Sequence, residues 1–353
     1  MTERVQQLIS RLTEFHSLSE ESYRELIDAC SPETAQVLAV EADRIRRGIY
    51  GTDIYIRGLI EISNICRNDC RYCGIRRSNT NCSRYHLPPE TILRCVALGY
   101  TLGFRTFVLQ GGEDPYYTDD LLVSLIRSIK SAHPDCAVTL SLGERGSESF
   151  RRLYEAGADR YLLRHETADE AHYNLLHPPE LSFRHRMDCL TALRETGYQV
   201  GCGFMVGSPY QTSAHLAKDL KFIETFRPEM CGIGPFIPHH DTPFAAFPAG
   251  TVSMTCYLLS IIRLILPDVL LPATTALGTI HPAGRELGIQ SGANVVMPNL
   301  SPEDTRGRYE LYDNKLCTGV ESADHLNELK QRMDAIGYRI VVSRGDVRRT
   351  VHA

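Results

Sequence analysis

Glu61-Ile-Ser-Asn-Ile-Cys66-Arg-Asn-Asp-Cys70-Arg-Tyr72-Cys73-Gly74 directly follows an apolar, strand-like run containing Ile54, Ile56, Leu59, Ile60 and Ile62. Three thiols spaced Cys-x3-Cys-x2-Cys thus leave the end of a strand on one short loop. Thiolates are the usual ligands of iron–sulfur clusters, so a single multi-iron cluster suits the triplet. A four-iron cubane held by three cysteines keeps one iron free for a small molecule to chelate. A zinc site would want a fourth ligand, which Cys82 could supply. A disulfide fits poorly with a chain whose start, Met1-Thr-Glu-Arg-Val-Gln-Gln, lacks the apolar segment of a secretory signal.

Working outward, apolar β-rich runs recur about every 30 residues: 54–62, 105–110, 136–142, 160–164, 199–206, 229–235, 268–274 and 293–297. Between them lie amphipathic stretches such as Leu121, Leu122, Leu125, Ile126 and Ile129, or Leu216, Leu220 and Ile223. Continuously apolar strands alternating with helices imply an α/β fold whose parallel sheet is covered on both faces. Eight such units match a closed (β/α)8 TIM-type barrel, expected over residues 51–300. No dinucleotide-binding glycine fingerprint and no Walker loop follows any strand.

Residues 1–50 read as an N-terminal helical extension capping the barrel. Val5, Leu8, Ile9 and Leu12 share one helical face, Ser17 with Glu20 fits a capping box, and Ser31-Pro32 fits a cap followed by proline at the first helical position. Residues 301–353 read as a C-terminal helical tail, a polar loop and then a helix carrying Leu326, Leu329, Met333 and Ile336, stopped by Gly337.

In such a barrel the C-terminal strand ends carry the active site, and polar residues do collect after each apolar run. After the second run come Gly111, Gly112 and Glu113, where glycines let backbone approach a ligand and the carboxylate suits an ammonium group. The third offers Thr139, in Thr139-Leu-Ser-Leu-Gly-Glu144, and the fourth Arg164-His-Glu166-Thr, an arginine for a carboxylate and a glutamate for ribose hydroxyls. Arg186 is a second carboxylate partner, unless it lies on a solvated helix face. Met205 opens a tight turn that fits against an adenine. Thr274, Thr275 and Met297 stand where a substrate would lie, the threonines and Arg164 being the expected contacts of its carboxylate. His239, His240 and Asp241 are adjacent on a proline-stiffened loop and converge poorly on a metal.

The cysteine spacing with Tyr72 before the third thiol, followed one strand later by Gly111-Gly112-Glu113, resembles the radical S-adenosylmethionine (SAM) superfamily. The blocks Val108–Tyr117, Arg160–Thr167, 232–239 and 272–279 extend the resemblance, over about residues 50–315, to the HydE family of [FeFe]-hydrogenase maturases. It implies one [4Fe–4S] cluster on Cys66, Cys70 and Cys73, SAM on the free iron, and cleavage of SAM to a 5′-deoxyadenosyl radical. Tyr72, Gly111, Gly112, Glu113, Thr139, Arg164, Glu166, Arg186 and Met205 then surround SAM. The implied substrate is a small organometallic iron–cysteine complex bearing CO and cyanide, with a reductant such as ferredoxin or flavodoxin and other hydrogenase maturases as partners. Some family members hold a second cluster near the C-terminus. Here that region keeps Cys317 alone, so no second cluster is expected, and Cys82 lies outside the motif. A carbon-skeleton or sulfur-insertion enzyme of the methylornithine synthase or biotin synthase type, and a non-catalytic iron–sulfur carrier, are the alternatives.

The bulk numbers agree with this reading. A net charge of −5 without a basic cluster disfavours nucleic acid as partner. No run nears ~18 uninterrupted apolar residues, so no membrane span is expected. Most of the twelve cysteines sit singly in apolar runs, as in a reducing, cytoplasmic protein.

Overall fold

The computed structural model describes residues 1–317, 319 and 322–349. Eight parallel strand positions close into a ring. The first is one strand broken at Arg57, β1 (Asp53–Ile56) and β2 (Gly58–Ser63), followed by β3 (Thr106–Gly111), β4 (Ala137–Ser141), β5 (Arg160–Leu162), β6 (Gln199–Cys202) with β7 (Met205–Val206), and β8 (Met230–Cys231) with β9 (Gly234–Pro235). The seventh position is held by single bridges from Leu270 to Met230 and from Pro272 to Val295, and the eighth is β10 (Val295–Val296). Pairing of Tyr55 with Val295 and of Leu59 with Asn299 closes the barrel. The eight apolar runs are its eight strand positions. They read as unbroken apolar stretches because both faces are buried, one inside the barrel and one under helices.

Three helices, α1 (Glu3–Phe15), α2 (Glu20–Asp28) and α3 (Pro32–Tyr50), precede the ring. The outer layer then runs α4 (Pro89–Thr101), α5 (Asp119–Ala132), α6 (Ser147–Glu155), α7 (Glu170–Leu176), α8 (Phe183–Thr196), α9 (Ser213–Phe226), α10 (Val252–Ile265), α11 (Thr275–Ile280) and α12 (Gly284–Gln290). The leading helices lie on α9 and α10. Val5, Leu8, Ile9 and Leu12 are buried on one stripe, Tyr23 hydroxyl reaches Glu224 at 2.6 Å, and Tyr257 hydroxyl donates to Leu26 carbonyl at 2.7 Å. Ser31 caps α3 ahead of Pro32, as its sequence implies. The cap of α2 is Ser19, whose side chain accepts from Ser22 N–H, while Ser17 donates to Glu224 at 2.9 Å. The capping box at Ser17 is thereby corrected by two residues.

The tail holds α13 (Glu303–Arg306), α14 (Leu326–Ala335) with Leu326, Leu329 and Met333 buried, and β11 (Arg339–Val341). That strand was not expected in a helical tail. It pairs with β1, and the chain after it seals the N-terminal end of the barrel. Arg160, 3% exposed, meets Asp346 at 2.6 Å, and Thr106 hydroxyl donates to Arg344 carbonyl at 2.7 Å. Gly345 (φ +59) lies so close to Tyr55 that an added Cβ would sit 2.7 Å from its ring. Residues 350–353 of the expected tail fall outside the described residues. No helix among the described residues is long and apolar enough to cross a membrane.

Candidate active site

Loop 64–88 leaves the first strand with few apolar residues, so side-chain hydrogen bonds hold it. Arg84 guanidinium donates to the carbonyls of Asn64, Ile75, Arg76 and Asn79. Asp69 grips Arg76 through two bonds of 2.7 Å each and also accepts from Ser78 N–H and hydroxyl. Asn64 amide bridges Ser83 carbonyl (2.9 Å) and Arg308 carbonyl (2.7 Å). A Cβ at Gly74 would lie 2.2 Å from Glu310 carbonyl oxygen and 2.3 Å from His239, so only glycine lets the loop pack here.

This scaffold presents Cys66, Cys70 and Cys73. Burial pushes the Cys66 thiol up, Cys70 to about 12 and Cys73 well up, and the sulfurs of the triplet act electrostatically on one another. Three thiols on one short loop suit a multi-iron cluster, whose cationic irons would hold the sulfurs as thiolates. Glu113 N–H, 3.4 Å from Cys66 sulfur, supports the charged form. Cys82 stands apart with Asn64, Arg84, Glu310 and Arg308 as its neighbours. Tyr72 sets its ring edge-on to His177 at 5.4 Å and donates its hydroxyl to Nε2 at 3.2 Å. Nδ1 of His177 donates to Tyr173 carbonyl at 3.0 Å and burial lowers the ring to about 3, so Nε2 is the acceptor.

Above the strands opens a chamber of about 360 Å³, lined by the cluster loop, the strand ends and residues 309–315 of the tail. Register explains its floor. Glu61 pairs with Gln110 and Gln110 with Ser141, placing one polar layer from three neighbouring strands. Gly112 lets the end of β3 touch the cysteine loop, since a Cβ there would be 2.3 Å from Ile65 carbonyl oxygen and 2.8 Å from Cys66 Cβ. Glu113 carboxylate is fixed by Arg67 Nε at 2.7 Å and Glu144 N–H at 2.9 Å. Across the chamber Arg164 and Glu166 approach to 3.3 Å without an aligned hydrogen bond, and Arg164 Nε and Nη2 and Glu166 Oε2 are buried without partners. Glu166 adopts φ +66, a left-handed conformation that costs a non-glycine residue on the order of 1 kcal/mol. Strain and unmet polar atoms thus coincide at one strand end.

Cys66, Tyr72, Cys73, Gly111, Gly112, Glu113, Arg164, Glu166, Arg186, Met205, Thr274, Thr275 and Met297 all line this chamber. Arg186 is 7% exposed, so the solvated-face alternative falls; it pairs with Glu144 and donates to Arg164 carbonyl at 2.6 Å. Thr139 requires a correction. It points inward two residues below Ser141 and lines a separate cavity of about 10 Å³ with Arg57, Arg160 and Gln199, and Ser141 faces the chamber in its stead. His165 faces away, fully buried, 3.3 Å from Asp219. His239 and His240 stack at 4.4 Å beside Asp313, whose carboxylate takes His240 Nδ1 at 2.6 Å. His239, His240 and Asp313 offer ligand atoms within 4.8 Å of one another, a group in which Asp313 stands where the sequence suggested Asp241. Glu61, Gln110, Tyr309 and Lys315 also line the chamber, and local sequence carried no signal for them.

Residues 60–223 match the family model of the radical SAM superfamily. The [FeFe] hydrogenase maturase subunit HydE of Thermotoga maritima is 48% identical over 276 residues, covering 78% of each chain. The 3-methylornithine synthase of Methanosarcina acetivorans is 27% identical over 307 residues, 86% of each. Among solved structures, a methylornithine synthase superposes with a TM-score of 0.83 at 25% identity, covering 95% of this chain and 97% of that one. The maturase HydG superposes at 0.79 with 23% identity, covering 96% and 76% respectively, which shows the shared fold.

Proposed function

Because the chain belongs to the radical SAM superfamily, and within it to the family of the Thermotoga HydE maturase, we propose that it acts on a small iron–cysteine complex during assembly of the [FeFe]-hydrogenase diiron subsite. The observation that carries the chemistry is the half-buried thiol loop, with Cys66 and Cys73 lining the chamber at the strand ends. Cys66, Cys70 and Cys73 hold a [4Fe–4S] cluster. When bound, cluster and SAM supply a one-electron cleavage that yields methionine and a 5′-deoxyadenosyl radical. The chain's own part is placement and exclusion of water. Glu113, held by Arg67, receives the ammonium of SAM. Arg164 supplies the missing partner for its carboxylate, and Glu166 accepts from ribose hydroxyls. Met205 packs on the adenine, and Thr274, Thr275 and Met297 receive the substrate. We read one cluster only, because the sequence near the C-terminus, where some family members carry further cysteines, keeps Cys317 alone. A reductant of the ferredoxin or flavodoxin type and the other maturases complete the set of partners, in the cytoplasm.

The test is anaerobic reconstitution with iron and sulfide, reduction, and addition of SAM. The expected products are 5′-deoxyadenosine and methionine, with faster turnover when a ferrous cysteine complex carrying CO and cyanide is present. Absence of 5′-deoxyadenosine from a fully loaded protein would leave an iron–sulfur carrier as the reading. Formation of 3-methylornithine without response to the iron complex would move it to the synthase branch, with which it shares its fold.

A further inference from the structure

Residues 309–315 cross the chamber mouth as a strap. Gly74 N–H donates to Leu311 carbonyl at 2.8 Å, and Asp313 N–H donates to Pro238 carbonyl at 3.0 Å. Leu316 N–H reaches Thr279 hydroxyl at 3.4 Å. The strap is thereby tied to the cysteine loop and to the loops after the sixth and seventh strand positions. From it Lys315 enters the chamber wall with its side chain only 7% exposed. Its ammonium donates to Glu61 Oε1 at 2.7 Å and lies 5.4 Å from the ring centroid of Tyr309. Glu61 is fully buried, and its second oxygen accepts from Asn299 amide at 2.8 Å.

Glu61 accepts from one of the three N–H groups of the Lys315 ammonium, which leaves the others as donors at the chamber wall. The same chamber lining adds neutral and cationic donors. Thr274 hydroxyl is buried without a partner, and Gly234 keeps space beside it, since a Cβ there would be 2.8 Å from that oxygen. Arg164 contributes Nε and Nη2, which make no hydrogen bond although Nη2 lies 3.3 Å from Glu166. Lys315, Thr274 and Arg164 thus present donors to one chamber, a set complementary to a small anion.

We propose that Lys315 anchors an anionic group of the substrate, a carboxylate or a metal-bound cyanide, and so sets which small molecules the chamber accepts. This rests on the substrate reading given above. Glu61 is its positioning residue: it orients the ammonium and competes with the anion for it. The two halves of one ion pair therefore have opposite effects on binding, which a purely structural clasp would not show.

The experiment measures dissociation constants of two probes on cluster-loaded protein with SAM, by anaerobic equilibrium dialysis. The probes are a ferrous cysteine complex carrying CO and cyanide, and free L-cysteine. Lys315→Met is expected to weaken the complex about tenfold, the worth of one charge-assisted hydrogen bond, and Lys315→Arg to restore most of it. Glu61→Gln is expected to leave binding equal or tighter. The double variant Lys315→Met with Glu61→Gln buries no unpaired charge and is expected to remain about tenfold weak. L-cysteine weakened alongside the complex identifies the carboxylate as the anchored group; the complex alone weakened identifies the cyanide. Equal loss in Glu61→Gln and Lys315→Met, recovery in the double variant, or no loss in Lys315→Met would overturn the proposal. Wild-type protein that binds neither probe removes the substrate reading and this anchor with it.

Discussion

Gly143→Ala tests whether Glu113 is the ammonium partner of SAM. Gly143 has φ +72, and an added Cβ would stand 2.2 Å from Glu113 Cγ and Oε1 and 2.5 Å from its carboxyl carbon. The alanine itself costs on the order of 1–2 kcal/mol in that backbone region. The glutamate must also swing away from Arg67 (2.7 Å) and Glu144 N–H (2.9 Å), each a charge-assisted bond worth about 1.5–3 kcal/mol. The three atoms nearest the new methyl all belong to Glu113, so cluster loading should persist. If the displaced carboxylate forfeits about 2 kcal/mol of its contact with the ammonium, the dissociation constant of SAM rises roughly thirtyfold. Equilibrium dialysis of reconstituted protein, with iron and sulfide counted per chain, measures it. A dissociation constant within twofold of wild type at unchanged cluster content would refute the assignment of Glu113.

Two further outcomes are expected. Cys70→Ala should abolish both acid-labile sulfide retention and 5′-deoxyadenosine formation, because two thiols cannot hold a cubane; sulfide retained at the wild-type level would contradict the ligand set. Asp346→Ala should destabilise the protein by about 3 kcal/mol in a denaturant titration, because it strips the buried Arg160 of its anion. Asp346 carboxyl is pulled down to about 2 chiefly by Arg160, against the opposing effect of burial. The stability from this pair is therefore complete above the usual carboxylate value near 3.8 and is lost as pH falls through about 2. Partial exposure of the aspartate trims that pH-dependent part to about 1 kcal/mol. An acid-unfolding profile of Asp346→Ala that superposes on wild type would contradict the seal.

The barrel was legible because burial on both faces writes each strand as an unbroken apolar run. This holds even where pairing shrinks to single bridges, as at Leu270 and Pro272. Site residues that directly follow such runs were legible for the same reason. Thr139 shows where the reasoning stopped. Residues 139 and 141 share a face by the two-residue period, and which of them reaches the chamber depends on the stagger between strands, a property of the closed ring. β11 was illegible because its partner β1 lies some 286 residues earlier, as the Arg339–Asp53 contact records. Lys315 is likewise 254 residues from Glu61, with nothing local to mark it.

The chamber's charges are arranged so that each carboxylate ties together segments that the ring alone would not fix. Glu61 joins the first strand to the strap, Glu113 joins the end of β3 to the cysteine loop, and Glu144 joins the loop after β4 to α8. A buried ion pair gains little net stability, since desolvation offsets most of its attraction. Its effect here is on position: it holds a loop in one place relative to the strand ends. The pair at the end of β5 differs from these three. Arg164 and Glu166 are two residues apart, join no distant segments, and lack an aligned hydrogen bond. Strained backbone at Glu166 is kept there, although relaxing it would remove a cost. Three pairs are complete without a ligand and one is not, so a molecule entering the chamber gains most at Arg164 and Glu166. Those two residues are where a ligand carrying both an anionic group and hydrogen-bond donors has the largest unmet demand to satisfy, and the three finished pairs are what hold the thiol loop and the strap in place around it.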